Sequence, residues 1–339
     1  MKNTSYSPPY EITPEIVCLI SEISELLGGI SAATPSEPSL MLRRGNRLRS
    51  IQASLAIENN TLSLKQVTAI INGKRVLGHP LEIREVKNAF AVYEIIEKLD
   101  PFSEKDLLKA HEILMSALVA EAGQYRLGGV VIMKEKEVIH AAPPADRVHT
   151  LMYDLFAWLK YTDAHPLIAS SVFHYEFEFI HPFADGNGRM GRLWQTLILS
   201  RWKPILAYLP VETVIRKQQE EYYNVLGKSD KQADSTAFVE FMLNAVLESL
   251  RETNENDQVI DQESDQVKRL LQIFDKNPLS ASALMQKLNL SHRPTFRKNY
   301  LHPALNKGLI EMTAPDKPNS RLQKYKITPQ GMAIAKGNR

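Results

Sequence analysis

Apolar residues recur every three to four positions along most of the chain, a spacing that predicts amphipathic helices. A first helix begins with Thr13 as N-cap and Pro14 at the first helical position, and we expect Gly28-Gly29 to end it. The same spacing predicts further helices over residues 50–59, 82–99, 107–118, 147–160, 167–179, 193–199, 214–226 and 237–250. Because each apolar stripe must be buried against another, the pattern predicts a mainly α-helical bundle.

Two β-prone runs interrupt the helical spacing. Val130–Met133 and Val138–His140 are separated by the polar residues 134–137 and are followed by Pro143-Pro144. Such a pair predicts a small β-hairpin. On composition alone, this hairpin could be an ordinary surface ribbon.

The C-terminal part of the chain has a different order of elements. Residues 280–288 and 294–306 fit two short helices, and the β-prone segments 310–313 and 324–327 follow them. This order resembles a winged helix-turn-helix domain. Its basic residues are Arg293, Arg297, Lys298, Lys307, Lys317, Arg321, Lys324 and Lys326. Such a surface suits DNA phosphates, but domains of this kind also dock proteins or dimerise, so both interpretations stay open.

A polar, acid-rich segment separates the C-terminal part from the helical bundle. A chain of 339 residues exceeds one typical domain, so two domains are expected. We therefore predict an N-terminal helical region over 1–110, a core over 111–250, a linker over 251–266 and a winged helix-turn-helix domain over 267–339.

Composition limits the class of protein only loosely. The formal net charge is +2, which favours no particular charged partner. The single cysteine, Cys18, excludes an intramolecular disulfide, and we expect it to be buried because it lies in an apolar helical run. No apolar stretch approaches the length of a membrane span and no signal-peptide core follows the first residues, so we expect a cytoplasmic protein with no membrane partner.

Polar chemistry is concentrated in residues 181–192, His-Pro-Phe-Ala-Asp-Gly-Asn-Gly-Arg-Met-Gly-Arg, between two apolar helical runs. The backbone of Gly186–Gly188 can adopt positive φ and direct consecutive N–H groups into one concavity, which favours a phosphate chain at a helix start. Arg189 and Arg192 are three residues apart, so both can contact phosphate oxygens from one helical face.

Two further side chains of this stretch suit phosphate chemistry. Asp185 is a hard oxygen ligand appropriate for Mg²⁺, and His181 can accept a proton near neutral pH. The combination predicts phosphoryl or nucleotidyl transfer. A zinc site formed by His181 and His174 is conceivable, but further ligands of the zinc type are not near them in the sequence.

In order and spacing, residues 181–192 resemble the signature of the Fic family, His-x-Phe-x-Asp/Glu-Gly-Asn-Gly-Arg-x-x-Arg, at every defined position. The resemblance implies a Fic-type helical bundle that transfers AMP from ATP to a Ser, Thr or Tyr hydroxyl of a target protein. It also implies that His181 is the general base and that Asp185 holds Mg²⁺. The nucleotide-binding residues that it implies are Gly186, Asn187, Gly188, Arg189, Gly191, Arg192 and Tyr223.

A second stretch, on a helix that we place at about 47–60, extends the resemblance. Ser54-Leu55-Ala56-Ile57-Glu58-Asn59 is similar to the family's inhibitory motif, Ser/Thr-x-x-x-Glu-Gly/Asn. On composition alone, Ser54 and Glu58 would be a surface serine and a solvated glutamate. In the family this glutamate pairs with the second signature arginine, here Arg192, and competes with the γ-phosphate of ATP. The resemblance therefore implies an enzyme that is inhibited by Ser54 and Glu58 of its own N-terminal region.

The predicted hairpin also has a counterpart in the family. The sequence Gly123-Gln124-Tyr125-Arg126 before it is similar to the segment that precedes the flap of Fic enzymes. There a target segment adds to the flap as a strand, through main-chain hydrogen bonds. By this resemblance, the target-docking residues would be Val131, Ile132 and Met133.

The predicted function is an autoinhibited protein adenylyltransferase that uses ATP as co-substrate and Mg²⁺ as cofactor. A different class remains open, namely a DNA-binding regulator whose Fic domain only senses a nucleotide. The same site could also remove AMP from a modified target or use another nucleotide donor. The target protein, which could be the chain itself, is not indicated by the residues. A homodimer could hold the inhibitory helix in place.

Overall fold

A computed structural model of the chain describes residues 6–33, 40–134, 137–274, 277–306, 308–314, 320 and 322–336. The chain divides into two compact units, Met1–Arg251 and Glu252–Arg339. Both are mainly helical, which confirms the predicted fold class. Among the described residues, no helix combines the length and the apolar character that a membrane span requires.

The N-terminal unit is a helical bundle with one hairpin. Its helices are α1 (Pro14–Ala33), α2 (Leu40–Ile57), α3 (Leu64–Ile71), α4 (Pro80–Ile95), α5 (Glu104–Leu114), α6 (Val148–Tyr161), α7 (Pro166–Ile180), α8 (Asn187–Trp202), α9 (Val211–Lys217), α10 (Gln219–Gln232) and the part of α11 (Thr236–Gln272) up to Arg251. Short 3₁₀ turns span Ile96–Lys98, Ala145–Arg147 and Pro204–Tyr208. Strands β1 (Val131–Lys134) and β2 (Glu137–Ala141) pair antiparallel, so the predicted hairpin is confirmed.

Helices α7 and α8 form the centre of this unit. Residues 167–177 of α7 are buried without a break, as expected for a helix with apolar or small residues on nearly all sides. The Phe156 ring of α6 lies 5.6 Å from that of Phe173 on α7 and 6.4 Å from that of Trp194 on α8, measured between centroids. The turn between α7 and α8, which carries the signature, therefore rests on a packed aromatic core.

Helix α1 departs from two expectations. It continues through Gly28-Gly29 to Ala33, because glycine in a helix costs only about 1 kcal/mol and the packing of the preceding turns outweighs that cost. Cys18 is exposed rather than buried. The buried stripe of α1 runs through Ile16, Leu19, Ile23 and Leu27, and Cys18 lies off that stripe.

The C-terminal unit combines short helices with a small sheet. Its elements after α11 are β3 (Leu279–Ser280), α12 (Ala281–Lys287), α13 (Arg293–Phe296), a π-helical turn (Arg297–Leu301), α14 (His302–Asn306), β4 (Ile310–Met312), β5 (Lys324–Ile327) and α15 (Pro329–Lys336). The strands are antiparallel in the order β3-β5-β4. The segment 251–266, which we expected to be a linker, is helical within α11.

An N-terminal segment before α1 is attached to α7 and α11. The hydroxyl of Tyr6 donates to Glu176 Oε2 at 2.5 Å, and the backbone N–H of Ser235 donates to the carbonyl of Pro9 at 2.9 Å. Burial raises the pKa of Glu176 to about 7, and the negative charge of Asp230 acts in the same direction. The Glu176 carboxyl is therefore protonated in the folded protein at pH values where it is ionised in the unfolded chain.

This raised pKa predicts that stability declines between about pH 4.5 and pH 7, because the folded state binds more protons than the unfolded state there. The substitution Glu176→Gln keeps an acceptor for Tyr6 and removes the charge. We expect the variant to gain on the order of 3 kcal/mol over the wild type at pH 8 and little at pH 4. Urea unfolding at both pH values measures this difference, with the exposed Glu15→Gln as control. An equal pH dependence in the wild type and Glu176→Gln would contradict the assignment.

Candidate active site

The turn between α7 and α8 has an unusual backbone. His181 ends α7 in the left-handed region with φ 50°, and Gly186 precedes α8 with φ 86°. The side chain of Asn187 fixes the loop between them, because its Oδ1 accepts from the N–H of Phe183 at 2.9 Å and its Nδ2 donates to the Phe183 carbonyl at 2.8 Å. Asn187, which we predicted in the phosphate cradle, therefore holds the loop with its side chain.

His111 of α5 packs against the same loop. Its ring stacks on Phe183 at a centroid distance of 3.6 Å. Its Nδ1 accepts from the N–H of Gly123 at 2.9 Å, so the other ring nitrogen carries the proton and donates to the carbonyl of Asp185 at 3.0 Å. Burial lowers the pKa of His111 to about 4, so the ring stays neutral near pH 7. The position of His111 in the sequence is typical of a packing residue. Its hydrogen bonds to Gly123 and Asp185 are seen only in the structure.

Arg126 connects the signature turn to the hairpin. Its side chain donates to the carbonyl of His181 at 2.7 Å through Nε, to that of Gly128 at 2.8 Å through Nη1 and to that of Pro143 at 2.6 Å through Nη2. Gly128 and Pro143 flank the hairpin on its two sides. The nearly buried Arg126 thus fixes the base of the hairpin relative to the residue that we predicted as the general base.

His181 is half-buried at the start of the loop. Its Nδ1 lies 3.4 Å from the carbonyl of Glu178, which suits a proton on Nδ1 and a lone pair on Nε2. This tautomer follows from the geometry of the acceptor. It is the form in which a histidine can accept a proton from a hydroxyl.

The structure brings together the residues of the predicted inhibitory motif and Arg192. Arg192 Nη2 lies 2.7 Å from Glu58 Oε1, and its Nε donates to Ser54 Oγ at 3.0 Å. Nη2 also donates to the carbonyl of Ser54 at 3.1 Å. The Arg192 side chain is 1% exposed. Although burial lowers the pKa of Arg192, the Glu58 carboxylate raises it above the ordinary value.

Gly188 lies directly beside this ion pair. A Cβ at position 188 would collide with Glu58 Oε1 and would lie 3.0 Å from Arg192 Nη1. The carboxylate of Glu58 therefore occupies the space over the first turn of α8. This is the place where the sequence predicts a phosphate chain.

Arg189 is engaged by carboxylates of two different elements. Its Nη1 lies 3.0 Å from Glu85 Oε1 on α4, and its Nη2 lies 3.1 Å from Asp185 Oδ1. Glu85 also accepts from Asn60 Nδ2 at 2.7 Å, just after the inhibitory motif. The Arg189 side chain is 6% exposed. Sequence reasoning missed Glu85, since no local pattern connects α4 to the signature.

Asp185 is suited to the metal that the resemblance implies. Its side chain is 58% exposed, and its Oδ1 accepts from the N–H of Gly186 at 2.5 Å and from Arg189. Within the described part of the chain, no group of three or more His, Cys, Asp or Glu residues is placed to bind one metal ion. A single accessible carboxylate fits Mg²⁺, which keeps several water ligands and is commonly shared with substrate phosphates.

The remaining predicted site residues are Gly191, Tyr223 and three residues of the hairpin. Gly191 packs against α7, because a Cβ there would lie 2.7 Å from His174 Cδ2. Tyr223 is 43% exposed, and burial together with the charge of Glu58 raises its pKa. Its neighbour Tyr222 is a core residue whose hydroxyl lies 3.2 Å from His174 Nε2. Val131, Ile132 and Met133 form β1, and their docking role stays a prediction.

Comparisons with known proteins identify the family of the chain. Residues 101–199 match the Fic/DOC family, and residues 265–328 match the domain described as "Filamentation induced by cAMP protein Fic-like, C-terminal domain". The crystal structure of a Fic family protein from Desulfovibrio desulfuricans G20 is 60% identical, with a TM-score of 0.73 over 96% of this chain and 99% of that one. The chain belongs to the Fic family.

Curated Fic relatives carry a functional name. The "Protein adenylyltransferase Fic" of Aedes aegypti is 29% identical over 63% of this chain and 44% of its own length. The protein of the same name from Nematostella vectensis is 28% identical over 68% of this chain and 54% of its own length. The chain therefore spans about half the length of these relatives.

The contacts of His111 lead to a prediction about the loop between α7 and α8. His111→Leu keeps an apolar body but leaves the N–H of Gly123 and the carbonyl of Asp185 without their partner. We expect a loss of about 1–3 kcal/mol in the free energy of unfolding, measured by urea titration. The exposed His149→Leu is the control and should change stability by less than about 0.5 kcal/mol. Equal losses in both variants would argue against a supporting role for His111.

Proposed function

We propose that this Fic protein transfers AMP from ATP to a hydroxyl of a target protein and that Glu58 restrains the reaction. The contact of Glu58 and Ser54 with Arg192 carries the proposal, because it places a carboxylate on the guanidinium nearest the predicted phosphate cradle. The names of the relatives from Aedes aegypti and Nematostella vectensis support the adenylyl-transfer part.

The reaction would proceed by in-line displacement at the α-phosphorus. His181 Nε2 would accept the proton of the target hydroxyl while its oxygen forms a bond to the α-phosphorus. The bond between the α-phosphorus and the bridging oxygen breaks, and pyrophosphate leaves. The N–H groups at the start of α8 and the guanidinium of Arg192 would stabilise the phosphate charge. Asp185 would hold Mg²⁺, which neutralises phosphate charge when bound.

The restraint follows from competition for Arg192. The Glu58 carboxylate and the terminal phosphate of ATP are both anions that accept hydrogen bonds from a guanidinium. With Glu58 in place, the terminal phosphate cannot reach Arg192, and the α-phosphorus would be held away from in-line attack. Release of Glu58 would open the space beside Gly188.

The hairpin would supply the docking surface for the target. Its two strands pair only with each other among the described residues, so each has an outer edge on which a target segment could add by main-chain hydrogen bonds. Arg126 fixes the base of this hairpin relative to His181. The arrangement supports delivery of a target hydroxyl to the histidine.

The proposal predicts the behaviour of Glu58→Gly. In this variant Arg192 loses its carboxylate and can take the terminal phosphate, so we expect AMP transfer to rise about 10- to 100-fold. The measurement is incorporation of label from α-labelled ATP into the protein itself and into proteins of a lysate, with Mg²⁺ present. Glu58→Gly/His181→Ala should return to background because it lacks the base.

Two further variants make this experiment sharper. Ser54→Ala removes one hydrogen bond to Arg192 and should raise incorporation less than Glu58→Gly does. Glu58→Gln keeps the volume but removes the charge and should fall between the wild type and Glu58→Gly. If no label appears with Glu58→Gly on any protein, AMP transfer is not the function of this site.

A second candidate function concerns the C-terminal unit. Arg293, Arg297 and Lys298 are exposed on α13 and the turn that follows it, as DNA binding through this helix would require. Lys324 is exposed on β5, whereas Lys326 lies 2.7 Å from Glu311. Lys307, Lys317 and Arg321 lie outside the described residues. We therefore propose this helix as a surface that binds DNA phosphates.

The DNA proposal predicts a salt-dependent weakening. Arg293→Gln/Arg297→Gln should weaken binding to duplex DNA and reduce the slope of log K against log salt by about one for each phosphate that is no longer neutralised. Fluorescence anisotropy at several salt concentrations measures both quantities. Lys105→Gln/Lys109→Gln on α5 is a matched control that removes the same charge at the same spacing. Identical slopes for the two variants would exclude this surface.

A further inference from the structure

Helix α2 carries a polar stripe that reaches from its first turns to the inhibitory glutamate. The stripe consists of Arg43, Arg47, Ser50, Ser54 and Glu58. These residues are spaced by four, three, four and four positions, so they lie on one face of the helix and its continuation. One end of the stripe contacts Arg192. The other residues of the stripe extend from this contact to the surface around Tyr208.

The middle of the stripe is anchored in the core. Ser50 Oγ donates to Glu212 Oε2 of α9 at 2.8 Å, and the hydroxyl of Tyr93 on α4 donates to Glu212 Oε1 at 3.1 Å. All three residues are buried. Because buried polar groups keep their partners, α2 is held to α9 at a fixed register and cannot slide freely.

At the outer end of the stripe, the side chains of Arg43 and Arg47 lie beside the ring of Tyr208. The guanidinium carbons of Arg43 and Arg47 lie 5.0 Å and 5.3 Å from the centroid of the Tyr208 ring, within the range of cation–π attraction. Glu97 accepts from the hydroxyl of Tyr208 at 2.6 Å, and Glu94 lies 3.0 Å from Arg47 Nη1. The Nε of Arg47 is buried and has no hydrogen-bond acceptor among the described residues. One N–H group of Arg47 therefore lacks an acceptor in the part of the chain that the structure describes, although its Nη1 and Nη2 lie 3.0 and 3.8 Å from Glu94 and Glu97.

Two cavities of about 400 and 390 Å³ open beside Tyr208, and both are lined by Arg43 and Tyr208. Their lining contains more positive than negative charge. The charged residues are Arg43, Arg44, Arg47, Arg201, Glu94 and Glu97. The first turn of α2 contains no acidic residue, so the positive end of the helix dipole adds to this excess. Charge, donors and space together favour a compact anion.

We propose that the cavities beside Tyr208 bind a small phosphorylated molecule and that its binding strengthens the hold of Glu58 on Arg192. The inhibitory part of this inference rests on the proposed function. The size of the cavities fits a ligand of nucleotide dimensions. An extended nucleic acid is disfavoured, because its phosphates follow one another in a continuous row, whereas the space beside Tyr208 is limited to two cavities of about 400 and 390 Å³.

The direction of the effect follows from where the charges lie. An anion beside Arg43 and Arg47 offsets positive charge near the N-terminus of α2, where cations destabilise a helix. It therefore stabilises α2 in the docked position in which Ser54 and Glu58 contact Arg192. A ligand that binds the docked helix better than a released one shifts the population toward the docked form. The bound anion acts as an inhibitor.

Inorganic tripolyphosphate serves as the probe for the site. Its affinity for the full-length protein is measured by isothermal titration at constant ionic strength. We expect Arg43→Gln/Arg47→Gln to bind at least about tenfold more weakly than the wild type, since charge-assisted hydrogen bonds are removed. The control Lys105→Gln/Lys109→Gln removes equal charge and keeps the affinity of the wild type. Both variants retain the signature, so phosphate binding there cancels in the comparison.

Equal affinities of the two double variants for tripolyphosphate would contradict the proposed anion site. If Arg43→Gln/Arg47→Gln does not fold, Arg44→Gln tests the same point, because its side chain is exposed and lines one cavity. It should bind several-fold more weakly than the wild type.

Coupling to Glu58 is measured by hydrogen exchange of the α2 amides 51–57. At ten times its dissociation constant, tripolyphosphate should slow their exchange about tenfold in the wild type and should not slow it in Arg43→Gln/Arg47→Gln. Binding without slower exchange would overturn the coupling. This readout does not use AMP transfer, so failure of the proposed function appears separately, as the absence of label on Glu58→Gly.

Discussion

The burial of the Arg192 guanidinium is the constraint on which the active site depends. A charge with 1% of its side chain exposed cannot be satisfied by water, and an unpaired charge in this position would be strongly destabilising. Here Ser54 and Glu58 supply the acceptors. Under the proposed function, a terminal phosphate, which is also an anion with several oxygen acceptors, would replace them, and it could not occupy the same space as Glu58. Under the proposed function, competition at this one buried cation would link the docking of α2 to nucleotide binding.

The proposed competition would require that α2 is held accurately. The contact between Arg192 and Glu58 spans 2.7 Å, and a displacement of one helical residue would carry the carboxylate past the guanidinium. Ser50 and Glu212 fix the register within the helix, and Asn60 fixes the chain just after it through Glu85. Because Glu85 also contacts Arg189, the end of the predicted inhibitory motif is joined to both arginines of the signature.

Features formed by residues that are close together in the sequence could be predicted from it. The signature places a loop and a helix start within twelve consecutive residues, and Ser54 and Glu58 lie one helical turn apart, so each pattern is visible without knowledge of the packing. Arg126 and Glu85 are different, since they contact residues 55 and 104 positions away along the chain. Their roles depend on how helices pack, which spacing alone does not determine. The exposure of Cys18 has the same origin, because an apolar run does not tell which of its faces is buried.

Several signature residues contact other parts of the protein. Asn187 spans the loop with two hydrogen bonds, Gly191 allows α8 to approach α7, and Arg189 is held by two carboxylates. Their common effect is to fix the N–H groups at the start of α8 before any substrate arrives, which is what electrostatic stabilisation of a transition state requires. Under the proposed function, the same rigidity would allow a single carboxylate to restrain the site. If the first turn of α8 cannot move aside, the proposed phosphate and Glu58 would compete for the space next to Gly188.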